Sequence, residues 1–122
     1  MLSGIDNLLA NEKVLEKLRR RRVAFLTNTS CHTSTGKESF MALNEALSTS
    51  SKAGISTLFV PEHGYNLNIS AGNVVPDVIN DLKNINTYSL YGSRKWPTND
   101  QLNSLDTLVI DLRDVGVRCF TY

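Results

Sequence analysis

The sequence predicts an α/β fold of three layers, with helices on the faces of a mainly parallel sheet. Three observations predict it. Short apolar runs suited to buried strands stand at residues 23–26, 55–60, 87–91 and 107–112. Segments of helical periodicity precede or separate most of these runs. Each run is followed by polar or turn-forming residues, as expected where strands feed crossover loops. With 122 residues, 41% of them hydrophobic, the chain has the size of one domain and enough apolar surface for a core.

Each element follows from local chemistry. Ile5, Leu8, Leu9, Val14, Leu15 and Leu18 recur at helical spacing and predict one N-terminal helix. Ser3 or Asp6 is its candidate cap, because a side-chain oxygen there takes up N–H groups that have no carbonyl partner. The basic residues 19–22 fall at its C-terminal end, where cations oppose the helix dipole. They are read as a solvated helix end in preference to a nucleic-acid patch. Residues 23–26 form the first strand and lead into Thr27-Asn28, followed by a polar loop over 29–35. Residues 37–47 form a second helix with Phe40, Leu43, Ala46 and Leu47 on one side, and 48–52 form its exit loop. Residues 55–60 are the second strand. Residues 61–75, rich in Gly and Asn, read as a long functional loop, and 78–82 as a short helical turn. Residues 87–91 are the third strand, ended by Gly92. A short helix over 100–105 follows Pro97, and 107–112 is the fourth and most apolar strand. Further strands usually follow in such a sheet, so the fold is expected to be truncated, its last edge lacking cover.

Composition excludes several function classes. A formal net charge of +1 and a pI near 7.8 give no electrostatic reason to expect nucleic acid or an anionic membrane as partner. No apolar run approaches the ~20 residues that span a bilayer. Cys31 and Cys119 make neither a disulfide framework nor a C-x-x-C zinc pair, and they read as small residues of a reducing compartment. Residues 1–10 carry Asp6 and no basic leader, so with Met1 as the true start a cytoplasmic location is expected. No cofactor is expected. Ser34-Thr35-Gly36-Lys37 imitates the end of a phosphate-binding loop, but Cys31 stands where that loop needs Gly and Glu38 where it needs Ser or Thr. No metal is expected either, since His63 has only His32 as a histidine companion.

In open α/β sheets, ligands bind beyond the carboxyl ends of the strands. The strand ends here deliver Thr27, Asn28, Thr29 and Ser30; then Pro61-Glu62-His63-Gly64; then Ser89, Tyr91, Arg94 and Lys95; then Asp111, Arg113, Asp114 and Arg118. Carboxylates, a histidine and cations are thereby expected along one edge. Glu62 is the foremost candidate for chemistry. Pro61 restrains the backbone before it and Gly64 permits a sharp turn after it. A carboxyl held in a semi-apolar cleft keeps its proton for a leaving oxygen. The competing reading is a surface Glu in a turn. Asp111 and Asp114 stand where a partner carboxylate belongs, and Asp111 serves equally well as a strand-end residue that fixes a loop.

These blocks resemble the DUF1343 family, which includes the NamZ-type exo-β-N-acetylmuramidases. The resemblance is carried by Gly4-Ile5-Asp6, residues 22–28, Pro61-Glu62-His63-Gly64, Ala71-Gly72, residues 88–92, Arg94-Lys95 and residues 111–122, in order and nearly end to end. It implies that residues 1–122 are a Rossmann-like N-terminal domain, with the family's C-terminal domain absent and the active cleft between the two. It implies release of terminal N-acetylmuramic acid from peptidoglycan fragments, with Glu62 and Asp111 as catalytic candidates. The substrate-binding candidates are Asn28, His63, Tyr91, Arg94, Asp114 and Arg118. A peptidoglycan-derived sugar is the expected partner, together with a separately encoded C-terminal half. The chain departs from the family at Thr29, Ser30 and Cys31, where Pro, Thr and Gly are usual. It departs again over residues 65–70, which lack the usual charges and glycine, and at Arg113, where Gln is typical. The alternatives are a non-catalytic sugar- or nucleotide-binding α/β module and an inactive gene relic.

Overall fold

The computed structural model describes residues 2–49, 54–61 and 85–113, and the strand Val78–Ile79. The elements are α1 (Gly4–Leu9), α2 (Glu12–Arg19), β1 (Val23–Thr27), α3 (Ser39–Leu47), β2 (Ile55–Val60), β3 (Val78–Ile79), β4 (Asn86–Ser89), α4 (Asn99–Asn103) and β5 (Thr107–Asp111). The sheet order is β3-β4-β2-β1-β5. β1 pairs in parallel with β2 and β5, and β2 pairs in parallel with β4. Among the described strands, only β3 runs antiparallel, against β4. The sheet is therefore mainly parallel, as expected.

The N-terminal helix expected as one piece is two. Its apolar positions slip out of phase between Leu9 and Val14, and Asn11 exploits the gap: its side chain accepts from the Val14 N–H at 3.3 Å and starts α2. α1 starts at Ser3, in a capping box with Asp6. The segment 78–82, expected as a short helical turn, holds a strand at Val78–Ile79; residues 80–82 lie outside the described residues. The last helix begins at Asn99, not at residue 100, because Thr98 and Gln101 cap each other's backbone N–H groups. α3 begins at Ser39, after a tight loop in which the Thr33 N–H donates to the Lys37 carbonyl at 2.8 Å and Gly36 takes a φ of 84°. The sequence that imitates a phosphate loop is the tip of this turn.

The basic run does more than cap a helix. The Arg19 guanidinium donates to the Ala46 carbonyl through Nε at 3.0 Å and Nη2 at 2.8 Å, and it pairs with Glu12, so it ties α2 to α3. Arg22 donates to both carboxylate oxygens of Asp106 and fastens the entry of β5 beside the entry of β1. Arg20 and Arg21 are exposed.

The two faces of the sheet differ. On one, Val23 and Phe25 of β1, Leu58 and Val60 of β2, and Phe40, Leu43 and Leu47 of α3 are all nearly inaccessible and form one core with Ile5, Leu15 and Leu18. Each large side chain so buried contributes on the order of 1.5–3 kcal/mol by leaving water. The β1–β2 and β4–β5 crossovers travel in opposite directions across the sheet. A common right-handed sense therefore places α3 and α4 on opposite faces, giving the third layer. α4 carries no buried residue, so this layer is thin. β5, the most apolar strand in sequence, is half exposed: Val109 packs on the core while Ile110 is 61% exposed.

Candidate functional site

The chain leaves β1 in one direction across the sheet to form β2, and β5 arrives on the other side of β1. The carboxyl ends of β1 and β5 thus flank the point where the topology switches, the place where open α/β sheets form a crevice. Thr27 is in register with Asp111. Immediately beyond, Asn28 is 2% exposed, and its side-chain amide donates to the Arg113 carbonyl at 3.0 Å. The Cys31 thiol lies 3.1 Å from Asn28 Oδ1 and 3.0 Å from the Asp111 carbonyl, so one donor is shared by two acceptors. The Arg113 guanidinium donates to the His32 carbonyl at 2.8 Å. Backbone and side chains together close the ends of the two strands over each other.

Within this closure some polar groups have no partner. Among the described residues, Asp111 Oδ2 and Thr29 Oγ1 are buried without a hydrogen bond, and so is Ser39 Oγ at the start of α3. Buried acceptors and hydroxyls are almost always satisfied, because each orphan forfeits its hydration. Thr87 Oγ1 in β4 is a fourth, and two of the four belong to the tips of β1 and β5.

The predicted site residues separate into groups. Asn28 and Asp111 come together at the β1–β5 tips. Asn28 has both ends of its amide engaged by protein, which makes it a positioning residue for the crevice. Tyr91 and Arg94 follow β4, three strand spacings from β5, or about 14 Å across the backbone. There the Tyr91 N–H donates to Ser89 Oγ at 3.0 Å, and the Lys95 ammonium sits 3.6 Å from the centre of the Tyr91 ring. Arg94 is exposed. The tip of β2 lies between these groups; it ends in Pro61, which is fully buried, and the Leu90 N–H donates to the Val60 carbonyl beside it at 2.8 Å. Glu62, His63, Asp114 and Arg118 lie outside the described residues.

The sequence marks Cys31 only as an ordinary small residue, and Arg113 as one of the polar residues at the fourth strand end and a departure from the family pattern, without assigning either a role. Both join the β1 and β5 loops. No spacing rule marks them, because their partners are 80 and 81 residues away in sequence.

Two neighbouring features stand apart from the crevice. Asp6 accepts from the backbone and hydroxyl of both Ser3 and Ser34, and these bonds hold its carboxyl far below the usual carboxylate range. It tethers α1 to the loop before α3. Beside it lies an open depression of about 520 Å³ lined by Asp6, Leu9, Thr33, Lys37, Ala42 and Glu45, among others, in which Lys37 pairs with Glu45. None of the predicted site residues lines it. Among the described residues, no three His, Cys, Asp or Glu side chains are placed to hold a metal ion, and no helix is long and apolar enough to cross a membrane.

Residues 23–122 match the family model for the N-terminal part of the exo-β-N-acetylmuramidase NamZ. The chain is 35% identical over 120 residues to the peptidoglycan β-N-acetylmuramidase NamZ of Bacillus subtilis strain 168, covering 98% of this chain and 28% of that protein. Its fold matches the crystal structure of a DUF1343 family protein from Bacteroides fragilis with a TM-score of 0.71 and 30% identity, over 99% of this chain and 28% of the other. A second DUF1343 structure from the same organism matches with a TM-score of 0.61 at 23% identity, and shares the fold. The chain thus spans 28% of the length of each of these proteins.

Proposed function

Since this chain belongs to the family of NamZ N-terminal domains, we propose that it supplies one wall of an exo-β-N-acetylmuramidase cleft, and that the strand tips described above bind a peptidoglycan-derived sugar. The observation that carries this reading is the pair of unsatisfied polar atoms, Asp111 Oδ2 and Thr29 Oγ1, at the switch point of a sheet of this family. A sugar presents hydroxyl and amide groups that match such atoms.

In this reading Glu62, the residue after buried Pro61, protonates the glycosidic oxygen as its bond to the anomeric carbon breaks. A second carboxylate, Asp111 or one outside this chain, activates the water or attacks the sugar. Asp111 in the catalytic role and Tyr91, Arg94, His63, Asp114 and Arg118 in binding roles belong to the same proposal. The remainder of the cleft is supplied by polypeptide equivalent to the rest of the relatives' length, continuous with this chain or encoded separately.

The test is release of N-acetylmuramic acid from a chromogenic β-glycoside. It is run with this chain alone and with this chain joined to the part of the Bacillus subtilis relative that follows the matched region. Turnover is expected in the joined protein, and Glu62→Gln is expected to lower kcat by about 10²–10⁴-fold. Unchanged turnover in Glu62→Gln would remove Glu62 from the chemistry. A second reading, a sugar-binding module without turnover, is favoured by the same orphan atoms. It requires saturable binding of N-acetylmuramic acid that Glu62→Gln leaves intact, in a joined protein that never turns over.

A further inference from the structure

We propose that Trp96 and Arg94 form a sugar subsite at the β4 end of the sheet, in which the indole takes the ring of an amino sugar and the guanidinium takes its carboxylate. The assignment rests on the sugar-binding reading above and adds to it a ring contact and a basis for selectivity. Residues 90–98 carry the chain from the carboxyl end of β4 to the start of α4, so they lie along the ligand-binding edge of the sheet. Within them Trp96, the chain's one tryptophan, is 68% exposed, the most of any large apolar side chain among the described residues. A lone exposed apolar residue is ordinary, but this one is held in place on both sides. Before it, the Lys95 ammonium turns back to sit 3.6 Å from the Tyr91 ring centre, which keeps the loop at the β4 tip. After it, Pro97 has a fixed φ and turns Trp96 away from helical backbone, and Thr98 starts α4 in a capping box with Gln101. The indole is presented to water on a backbone with little freedom left to lose, which lowers the cost of binding.

The chemistry of the patch selects the ligand. A pyranose ring offers a face of C–H groups, which stacks on an indole and leaves water, while the hydroxyls at its rim stay solvated. Arg94, two residues before Trp96, is exposed, and among the described residues no carboxylate pairs with it. Its planar fork matches a carboxylate through two parallel N–H donors. N-Acetylmuramic acid carries both features, a pyranose ring and a lactyl carboxylate; N-acetylglucosamine has the ring alone. The sheet order favours this end for the acidic group. Asp111 stands three strand spacings away, about 14 Å across the backbone, and would repel a second carboxylate brought to its own tip. A sugar whose carboxylate lies on Arg94 avoids that repulsion.

The test is an NMR titration of the isotope-labelled chain with N-acetylmuramic acid and with N-acetylglucosamine. It follows the indole N–H resonance of Trp96, which is unambiguous because the chain has one tryptophan. The expected result is a saturable shift with both sugars, with N-acetylmuramic acid bound about tenfold more tightly. Arg94→Gln should bring N-acetylmuramic acid down to the affinity of N-acetylglucosamine and leave the latter unchanged. By saturation-transfer NMR, Trp96→Ala should weaken both sugars about tenfold, and Trp96→Phe should recover most of the loss. Equal affinity of the wild-type chain for the two sugars would overturn the role of Arg94. An indole resonance that stays still while signals of Asn28, Thr29 and Asp111 move would overturn the subsite and leave the sugar-binding reading standing. So would an absence of any shift in the chain when the joined protein described above releases N-acetylmuramic acid. Neither shift nor release would sink both readings. A collapsed amide spectrum in Trp96→Ala would assign the indole to the fold and overturn the subsite.

Discussion

The side-chain amide of Asn28 donates to the backbone carbonyl of Arg113, and the Arg113 guanidinium donates to the carbonyl of His32. The loops after β1 and β5 therefore hold each other in both directions. Asn28→Leu keeps most of the volume but removes the donor and the acceptor that Cys31 uses. It is expected to cost about 1–3 kcal/mol, the penalty for leaving buried partners unpaired, read as a lower urea midpoint with an unchanged m-value. An unaltered midpoint would show that the clamp contributes nothing.

Cys31 is 1% exposed and shares its thiol proton between Asn28 Oδ1 and the Asp111 carbonyl. In a Cys119→Ser background it is expected to resist a thiol reagent in the native protein and to react only as the chain opens. Cys31→Ser keeps a donor and should unfold at higher urea than Cys31→Val, which has none. The reverse order would assign Cys31 to packing alone.

The Arg22 guanidinium and backbone N–H hold the Asp106 carboxyl down to about 2. In the unfolded chain an aspartate titrates near 3.9. Between those values the unfolded state binds more protons, so this contribution to stability is present above about pH 4 and fades as pH falls toward 2. Asp106→Asn removes it. The expected outcome is that the difference in thermal midpoint between wild type and Asp106→Asn narrows from pH 5 to pH 2. A difference that stays constant would refute the linkage.

Asn11 separates α1 from α2 by accepting from the Val14 N–H. Asn11→Ala is expected to destabilise the protein by about 0.5–2 kcal/mol, measured by chemical unfolding, while Asn11→Asp, which retains the accepting oxygen, should stay near wild type. Equal losses in both would point to a role other than capping.

Much of the fold was legible because it rests on local patterns. The run at Ile55–Val60 was read with the bounds observed, since five of its six residues are buried and buried parallel strands are continuously apolar. The break at Asn11 was missed because one slip in helical phase is a weak signal beside six well-spaced apolar residues. Val78–Ile79 was missed because two residues carry no period; pairing with β4 makes them a strand. At the site, the sequence pointed to Asn28 and Asp111 by their place after strands. It could not show that Asn28 spends its amide on Arg113, or that Asp111 Oδ2 is left without a donor.

The order of chemistry along this chain, strands ending in polar residues and helices bounded by capping side chains, was set by the sequence alone, because capping and hydrophobic period act over a few residues. Tertiary structure alone decided which strand tips became neighbours. Placing β5 beside β1 brings Asp111 to Asn28 and Cys31 and leaves Ile110 open to water. That outcome depends on the direction and hand of crossovers spanning the whole sheet, which no short window of sequence contains.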